Sequence, residues 1–382
     1  MLKELRQKDI KLLPRTVEMI QHVITVMILL LFVAGIAVVY WGLLPPRKDL
    51  YNELWGPAYL LVQGMSPYNT SSLDPVLPAA WLPMSIGFFF PLGWLTETTA
   101  LHFWFLFSLI ELALVVLLVR RSDKSITGLF AAAAFAFAFP STIYHLLLGQ
   151  FSITTTLCAV CGTYLILKDR HWLGAFFLAL GLSKIHLMTL PMLGLSLYYF
   201  QQGGAKNMAA FWLRVAAACF VLTLPLFIAH PNWIPDAIKS MTSNAPWAFP
   251  TLQKFLLYTF GSFGMVLWGI SFVLTIMLSL FLWRRLDAVS ATYWNLGLAL
   301  LISPYIGSWD FVTLLPLWLH TFLNTDRRWK IFMCISYGVA WFLMARIQGL
   351  EESHNHFFWW VPLWFLASTA IVIWRQRIKT PK

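Results

Sequence analysis

Acid is scarce in this chain. Only 16 of its 382 residues are Asp or Glu, and all charged residues together make up 11%. Soluble domains carry about 25%, so an ordinary water-facing surface is excluded. Cysteine is scarce as well. Cys158, Cys161, Cys219 and Cys334 all lie inside apolar runs. Cys158 and Cys161 have CxxC spacing, but no second pair or histidine cluster accompanies them. They read as small, soft side chains packed between helices, with no disulfide or metal implied. Also missing are a GxxxxGK phosphate loop, a GxSxG elbow and an HExxH pair. Without a nucleotide-binding motif, any activated group must arrive on another carrier. No internal repeat is visible, and no stretch has the composition of a soluble domain.

What the chain does have is apolar length: 59% of residues are hydrophobic and the mean hydropathy is +0.71. A membrane-spanning helix needs roughly 20 apolar residues, and such runs recur along the chain. The fold class expected is an all-α polytopic membrane protein, one integral domain over 1–382. The basic start holds Lys3, Arg6, Lys8, Lys11 and Arg15. The apolar run after it is too long for a signal peptide and has no small-residue cleavage site, so it reads as a retained anchor. The net charge of +11 sits at the ends of apolar runs. That is the positive-inside pattern rather than a nucleic-acid surface. It places 1–18 in the cytoplasm, together with the tail 375–382.

Orientation then follows the basic loops. A first helix over 19–44 runs outward, and 45–97 forms a long external loop. Within it, 77–95 is cut by Pro83 and Pro91. Treating that stretch as interfacial or re-entrant keeps the basic "RRSDK" inside. Spans are expected at 98–119, 127–147 and 150–167. The apolar run 172–201 has basic residues on both flanks and is about 45 Å long as one helix. Two short passes fit better, turning near "GLSKIHLMTLP" with Pro191 as the breaker. Such a turn is tolerated only when buried in protein or lining a wet cavity. Further spans at 209–229, 262–283, 292–305, 311–324, 330–345 and 357–374, with a second external loop at 230–254, give about 12 crossings and both termini inside.

On this topology Asp49, Glu53, Asp74, Asp236, Asp310, Glu351 and Glu352 face outward. Charges at membrane depth are functional candidates. Asp49 sits where the first helix leaves the lipid. Partial desolvation there raises a carboxylate's proton affinity and suits a general base; the competing reading is an N-cap for the helix beginning "LYNELW". Lys184, inside the apolar hairpin, can hold a phosphate whose lipid tail lies in the bilayer, or snorkel to an interface. Arg47 and Lys48 can assist it. His186 is a helper or a packed histidine. His145 and Gln150 in "HLLLGQ" would meet the external cavity. Tyr51 and Tyr68 belong to the first loop. Trp309 and Asp310 in "SPYIGSWDF" suit a sugar: a ring face to stack on and a carboxylate for hydroxyls. Interfacial anchoring is the alternative for Trp309. Glu111 receives no role. No carboxylate cage for a metal is visible, and no cofactor is expected.

Four stretches in order carry a resemblance: "DLYNELWGPAYLLVQGMSPYN", "LLLGQFSITTTL", "WLGAFFLALGLSKIHLMTLP" and "ISPYIGSWDFVTLLP". Together they resemble the GT-C superfamily of glycosyltransferases. The closest likeness is to the bacterial polyprenol-phosphate-mannose-dependent alpha-1,2-mannosyltransferase-like family, over most of 45–320. The resemblance implies a GT-C-like bundle with interfacial helices in the first external loop. It also implies an outward-facing cavity at the cell membrane, shared by a polyprenyl-phosphate-linked sugar donor and a glycolipid or glycan acceptor. By it, Asp49 matches the catalytic acid of the first loop and Lys184 the lysine of the broken helix pair. Two positions depart from the pattern. Asp310 stands where histidine is usual, and "LPAAWLP" replaces "YPP". The reaction expected is transfer of a mannose-like hexose or a pentose to an acceptor hydroxyl with inversion. The rivals are a transporter or flippase of a lipid-linked sugar, which predicts pseudo-repeats, and a non-catalytic envelope scaffold.

Overall fold

Every regular element among the described residues is helical. The structure is a computed structural model that describes residues 2–46, 48–74, 76, 81–120, 125–242, 249–348 and 356–379. In chain order the α-helices are α1 Leu2–Tyr40, α2 Gly56–Val62, α3 Pro83–Phe89, α4 Glu97–Val119 and α5 Ile126–Phe137. They continue with α6 Pro140–Leu148, α7 Ser152–Ile166, α8 His171–Gly181, α9 Ile185–Ala229 and α10 Trp233–Thr242. The last five are α11 Leu252–Arg285, α12 Ala288–Ile302, α13 Leu315–Leu323, α14 Arg327–Gln348 and α15 Trp360–Lys379.

Six of these stretches are long and apolar enough to cross a membrane, or seven if the bent pair α5–α6 counts as one span. Six or seven is fewer than the 12 crossings expected, for two physical reasons. Some expected spans are short helices, such as α7 and α12. Others are folded together in the single stretch His171–Ala229, which counts once although the chain reverses twice within it. His171 Nδ1 lies 2.8 Å from Tyr199 Oη, so α8 and the first part of α9 run side by side. Trp212 Nε1 donates to Ser196 Oγ at 3.0 Å, and Tyr199 stacks on Phe211, so α9 also folds back on itself. A straight helix would put residues 196 and 212 about 24 Å apart.

The two reversals have different causes. α9 turns at Gly203 and Gly204, and Gly204 has φ +67°, a conformation that suits glycine. The earlier turn is the 3-10 segment Leu182–Lys184. Pro191 is therefore not the breaker; it lies inside α9. A proline inside a helix removes one main-chain hydrogen bond, and α9 runs on past it. α11 is likewise bent, at Gly261 with φ +58°, so its long straight part begins at the start of the expected span 262–283.

The segment before α4 does not form a long helix. α3 is seven residues and continues as the 3-10 turn Phe90–Trp94. Gly87 lets α3 lie directly on α9: a Cβ there would fall 1.8 Å from the Leu222 carbonyl oxygen. Residues 77–80 lie outside the described residues. Around these pieces packs a continuous core that includes Trp104, Phe89, Phe151 and Trp318. One end of the bundle gathers the described parts of 48–95, the start of α7, the Leu182–Lys184 turn and the turn Ser308–Leu314.

Candidate active site

Asp49 precedes a π-helical turn, Leu50–Trp55, and makes no side-chain cap bond. The N-cap reading therefore does not describe its side chain, which instead accepts a hydrogen bond from Gln150 Nε2. Gln150 reaches it because α6 ends at Gly149 in the left-handed conformation, with φ +71°. A Cβ at 149 would lie 2.7 Å from Leu50 Cβ, so glycine also permits the two segments to touch. Trp104 Nε1 holds the same corner by donating to the carbonyls of Gly149 and Gln150, each at 3.2 Å.

The far end of the Gln150 amide accepts from Lys184 Nζ at 3.0 Å. Lys184 does not snorkel. Its side chain is 4% exposed, and it also donates to Ser152 Oγ at 2.8 Å and Asp310 Oδ1 at 2.7 Å. An ammonium has three N–H groups and no acceptor, so these three partners fill it. Because lysine only donates, the Gln150 oxygen must face Lys184 and its NH₂ must face Asp49. The ring of Trp81 lies 4.7 Å from the ammonium.

Asp310 is fully buried and anchors the other side. Ser152 Oγ donates to Oδ1, and the Gly307 N–H donates to Oδ2 at 2.8 Å. His186 Nε2 is 3.7 Å from Oδ2, and its ring meets the Tyr305 ring edge-on. Burial alone would raise the Asp310 carboxyl, but Lys184 and His186 hold it below the usual carboxylate range. Asp49 moves the other way. Its burial raises it, against the Gln150 bond and the charges of Lys184 and Lys48. Two carboxylates in one cluster are thus pushed apart, one toward a permanent anion and one toward a proton acceptor.

Other expected site residues stand further out or are otherwise occupied. Lys48 is exposed beside Asp49, and its carbonyl accepts the Tyr51 N–H at 2.9 Å. Arg47, Glu351 and Glu352 lie outside the described residues. Tyr51 stacks on Trp55, and its hydroxyl accepts the Asp74 N–H. The Tyr68 hydroxyl donates to the Trp81 carbonyl at 3.0 Å, so Tyr68 positions Trp81. His145 is fully buried; its Nε2 accepts the Ile153 N–H at 3.0 Å, securing the start of α7 rather than facing a cavity. Trp309 is half-buried with its ring near Tyr144. Asp74 is exposed and Asp236 half-buried.

Ser152 and Trp81 of the cluster were not singled out from sequence, and Glu53 was named only among the outward-facing acids. Ser152 lies two positions after Gln150, at the first turn of α7. Glu53 follows Asp49 by four and accepts the indole N–H of Trp81. Its spacing could have tied it to Asp49, since positions four apart share a helix face. Trp81 carried no local signal. All four cysteines are free, and no group of His, Cys, Asp and Glu suited to a metal occurs among the described residues.

The model of glycosyltransferase family 87 (GT87) matches residues 82–304, more than half of the chain. The chain belongs to glycosyltransferase family 87. It is a membrane glycosyltransferase, which uses a sugar donor and an acceptor. No curated protein matches the chain. The GT87 match takes in Gln150, Ser152, Lys184 and His186, whereas Asp49, Glu53 and Asp310 lie beyond its ends. The folding of the bundle joins the two sets in one cluster.

Proposed function

We propose that this GT87 member moves a sugar, a mannose-like hexose or a pentose, from a polyprenyl-phosphate donor to an acceptor hydroxyl on the non-cytoplasmic side of the cell membrane. The bundle is GT-C-like, with about 12 crossings and both termini inside; the two reversals within His171–Ala229 favour that count over the six spans found by length. Asp49 takes the proton from the acceptor hydroxyl. The acceptor oxygen then bonds to the anomeric carbon as the bond from that carbon to the phosphate oxygen breaks. Phosphate leaves with the electron pair on the opposite face, so the configuration inverts. The proton on Asp49 passes to solvent once product leaves.

Lys48 draws the anionic donor to the mouth, with Arg47 beside it in sequence. Lys184 meets the departing phosphate by exchanging its Ser152 bond for a phosphate oxygen, while Asp310 keeps it charged. Gln150 holds the base and does not contact the sugar. Tyr51, His186 and Trp309 remain to contact the sugars.

The observation that carries this reading is the unbroken chain Asp49–Gln150–Lys184–Asp310, which joins a base to an ammonium from distant parts of the sequence. The test is purified protein in lipid with a panel of polyprenyl-phosphate sugars, scored by release of polyprenyl phosphate. Release with one donor and a glycan or glycolipid acceptor is expected. Release from none of the panel, or only from sugar nucleotides, overturns the donor class.

A further inference from the structure

One carboxyl in the cluster has no task in the mechanism above. Glu53 lies four residues after Asp49 along the same π-helical turn, which brings both carboxyls to one side. The residue is half-buried. Its Oε2 accepts the Trp81 indole N–H, and the same indole ring carries the Lys184 ammonium on its face.

Three carboxyls, Asp49, Glu53 and Asp310, share this cluster with one buried ammonium. Their compensation is unequal. Asp310 has Lys184, the Ser152 hydroxyl and a main-chain N–H, with His186 close by. Asp49 has the Gln150 amide and lies in the fields of both Lys184 and Lys48. Glu53 has a neutral indole and the charge of Asp49 against it. Two carboxylates this close in a desolvated site do not both stay ionised. The retained proton goes to the less compensated one. Burial first, and then the Asp49 charge, push Glu53 up to about 8.

We propose that Glu53 holds the single proton of an Asp49–Glu53 pair, leaving Asp49 ionised as the base and presenting an O–H that donates to a phosphate oxygen of the donor. This rests on reading Asp49 as the base of a polyprenyl-phosphate-dependent transfer. A neutral Glu53 offers a hydrogen to an anion, whereas an ionised one repels it. Donor capture therefore weakens as pH rises through about 8. The groups facing Glu53 are Asp49 on its own segment, Lys184 at the hairpin apex, and Asp310 and Tyr305 on the last turn.

The test compares wild type, Glu53→Gln and Glu53→Ala in lipid nanodiscs, with a polyprenyl-phosphate mannose as the probe donor. Infrared difference spectra read the protonated-carboxyl C=O stretch without needing turnover. Wild type minus Glu53→Gln should show that band below about pH 8 and lose it above. A difference spectrum with no such band overturns the proposal. In kinetics, donor kcat/KM of wild type should fall on the alkaline side, and this limb should vanish in Glu53→Gln. Persistence of the limb overturns the proposal. Glu53→Ala should lower donor kcat/KM by about tenfold, with Glu53→Gln recovering much of it through its N–H. Equal losses in the two variants also overturn it. The expected band with no transfer from the probe keeps the proton on Glu53 and rejects the phosphate contact and the donor class instead.

Discussion

The chain reverses direction twice between His171 and Ala229, and the two turns are made of opposite materials. The Gly203–Gly204 turn is exposed or half-exposed, and water can satisfy its backbone. Glycine freedom suffices there, with Lys206 and Asn207 solvated beside it. In the Leu182–Lys184 turn Ser183 and Lys184 are buried, and at its end an ammonium is caged by Gln150, Ser152 and Asp310. Removing such charges from water costs several kcal/mol per ion. A turn needs no charge to reverse a chain, as the second one demonstrates. The first keeps an ion pair, and its ammonium also holds the Gln150 amide that bonds Asp49.

Substitutions can break this contrast. The largest effect should follow Lys184→Ala, which strands Asp310 in the interior. Loss of about 3–5 kcal/mol is expected in detergent unfolding, together with loss of transfer. The double change Lys184→Met with Asp310→Leu should regain much of that stability and none of the transfer. Recovery of both would make the pair merely structural.

Asp49→Asn comes next. It should slow transfer by roughly 10²–10⁴-fold while leaving the unfolding temperature near wild type, because an asparagine oxygen still accepts from Gln150. The pH responses should also separate. The raised Asp49 must lose its proton to act, so transfer should switch on with rising pH above the ordinary aspartate range. Asp310 is depressed in the folded state. Its stabilisation is fully present above the unfolded aspartate value and disappears only as pH falls through the folded one. Mild acid should therefore stop transfer before it unfolds the protein, which parallel rate and unfolding profiles can read.

Gly149→Ala meets both a left-handed backbone and Leu50, and should cost about 1–3 kcal/mol and reduce transfer by displacing Gln150. The smallest effect belongs to Gly204→Ala. Space around Gly204 is open, so about 1 kcal/mol of backbone strain and unchanged transfer are expected. A transfer defect as large as that of Gly149→Ala would erase the distinction between the two turns.

Much of this arrangement was legible in the sequence because membranes make polar residues conspicuous. Lys184 stood out in an apolar run, and the basic flanks of 172–201 required the chain to double back. Asp49 was marked by its place at the end of the first apolar helix. What stayed hidden depends on contacts between distant segments. Pro191 looked like the breaker, but a turn is set by what surrounds it, and Lys184 itself ends the 3-10 segment. His145 and Gln150 looked alike at one helix end, yet one secures α7 and the other bonds Asp49. Trp81 gains its role only from the ammonium over its ring and from Glu53, and no spacing in the sequence reports either. The spans shorter than a bilayer, such as α7 and α12, blur a count made from hydropathy alone.

The most direct measurement is single-turnover transfer by wild type and Asp49→Asn in lipid nanodiscs, with the anomeric configuration of the product read by NMR. Inverted product from wild type, with release of polyprenyl phosphate and a loss of roughly 10²–10⁴-fold in the variant, is the predicted result. Near-normal transfer by Asp49→Asn, or product of retained configuration, would contradict Asp49 as the base of a single displacement.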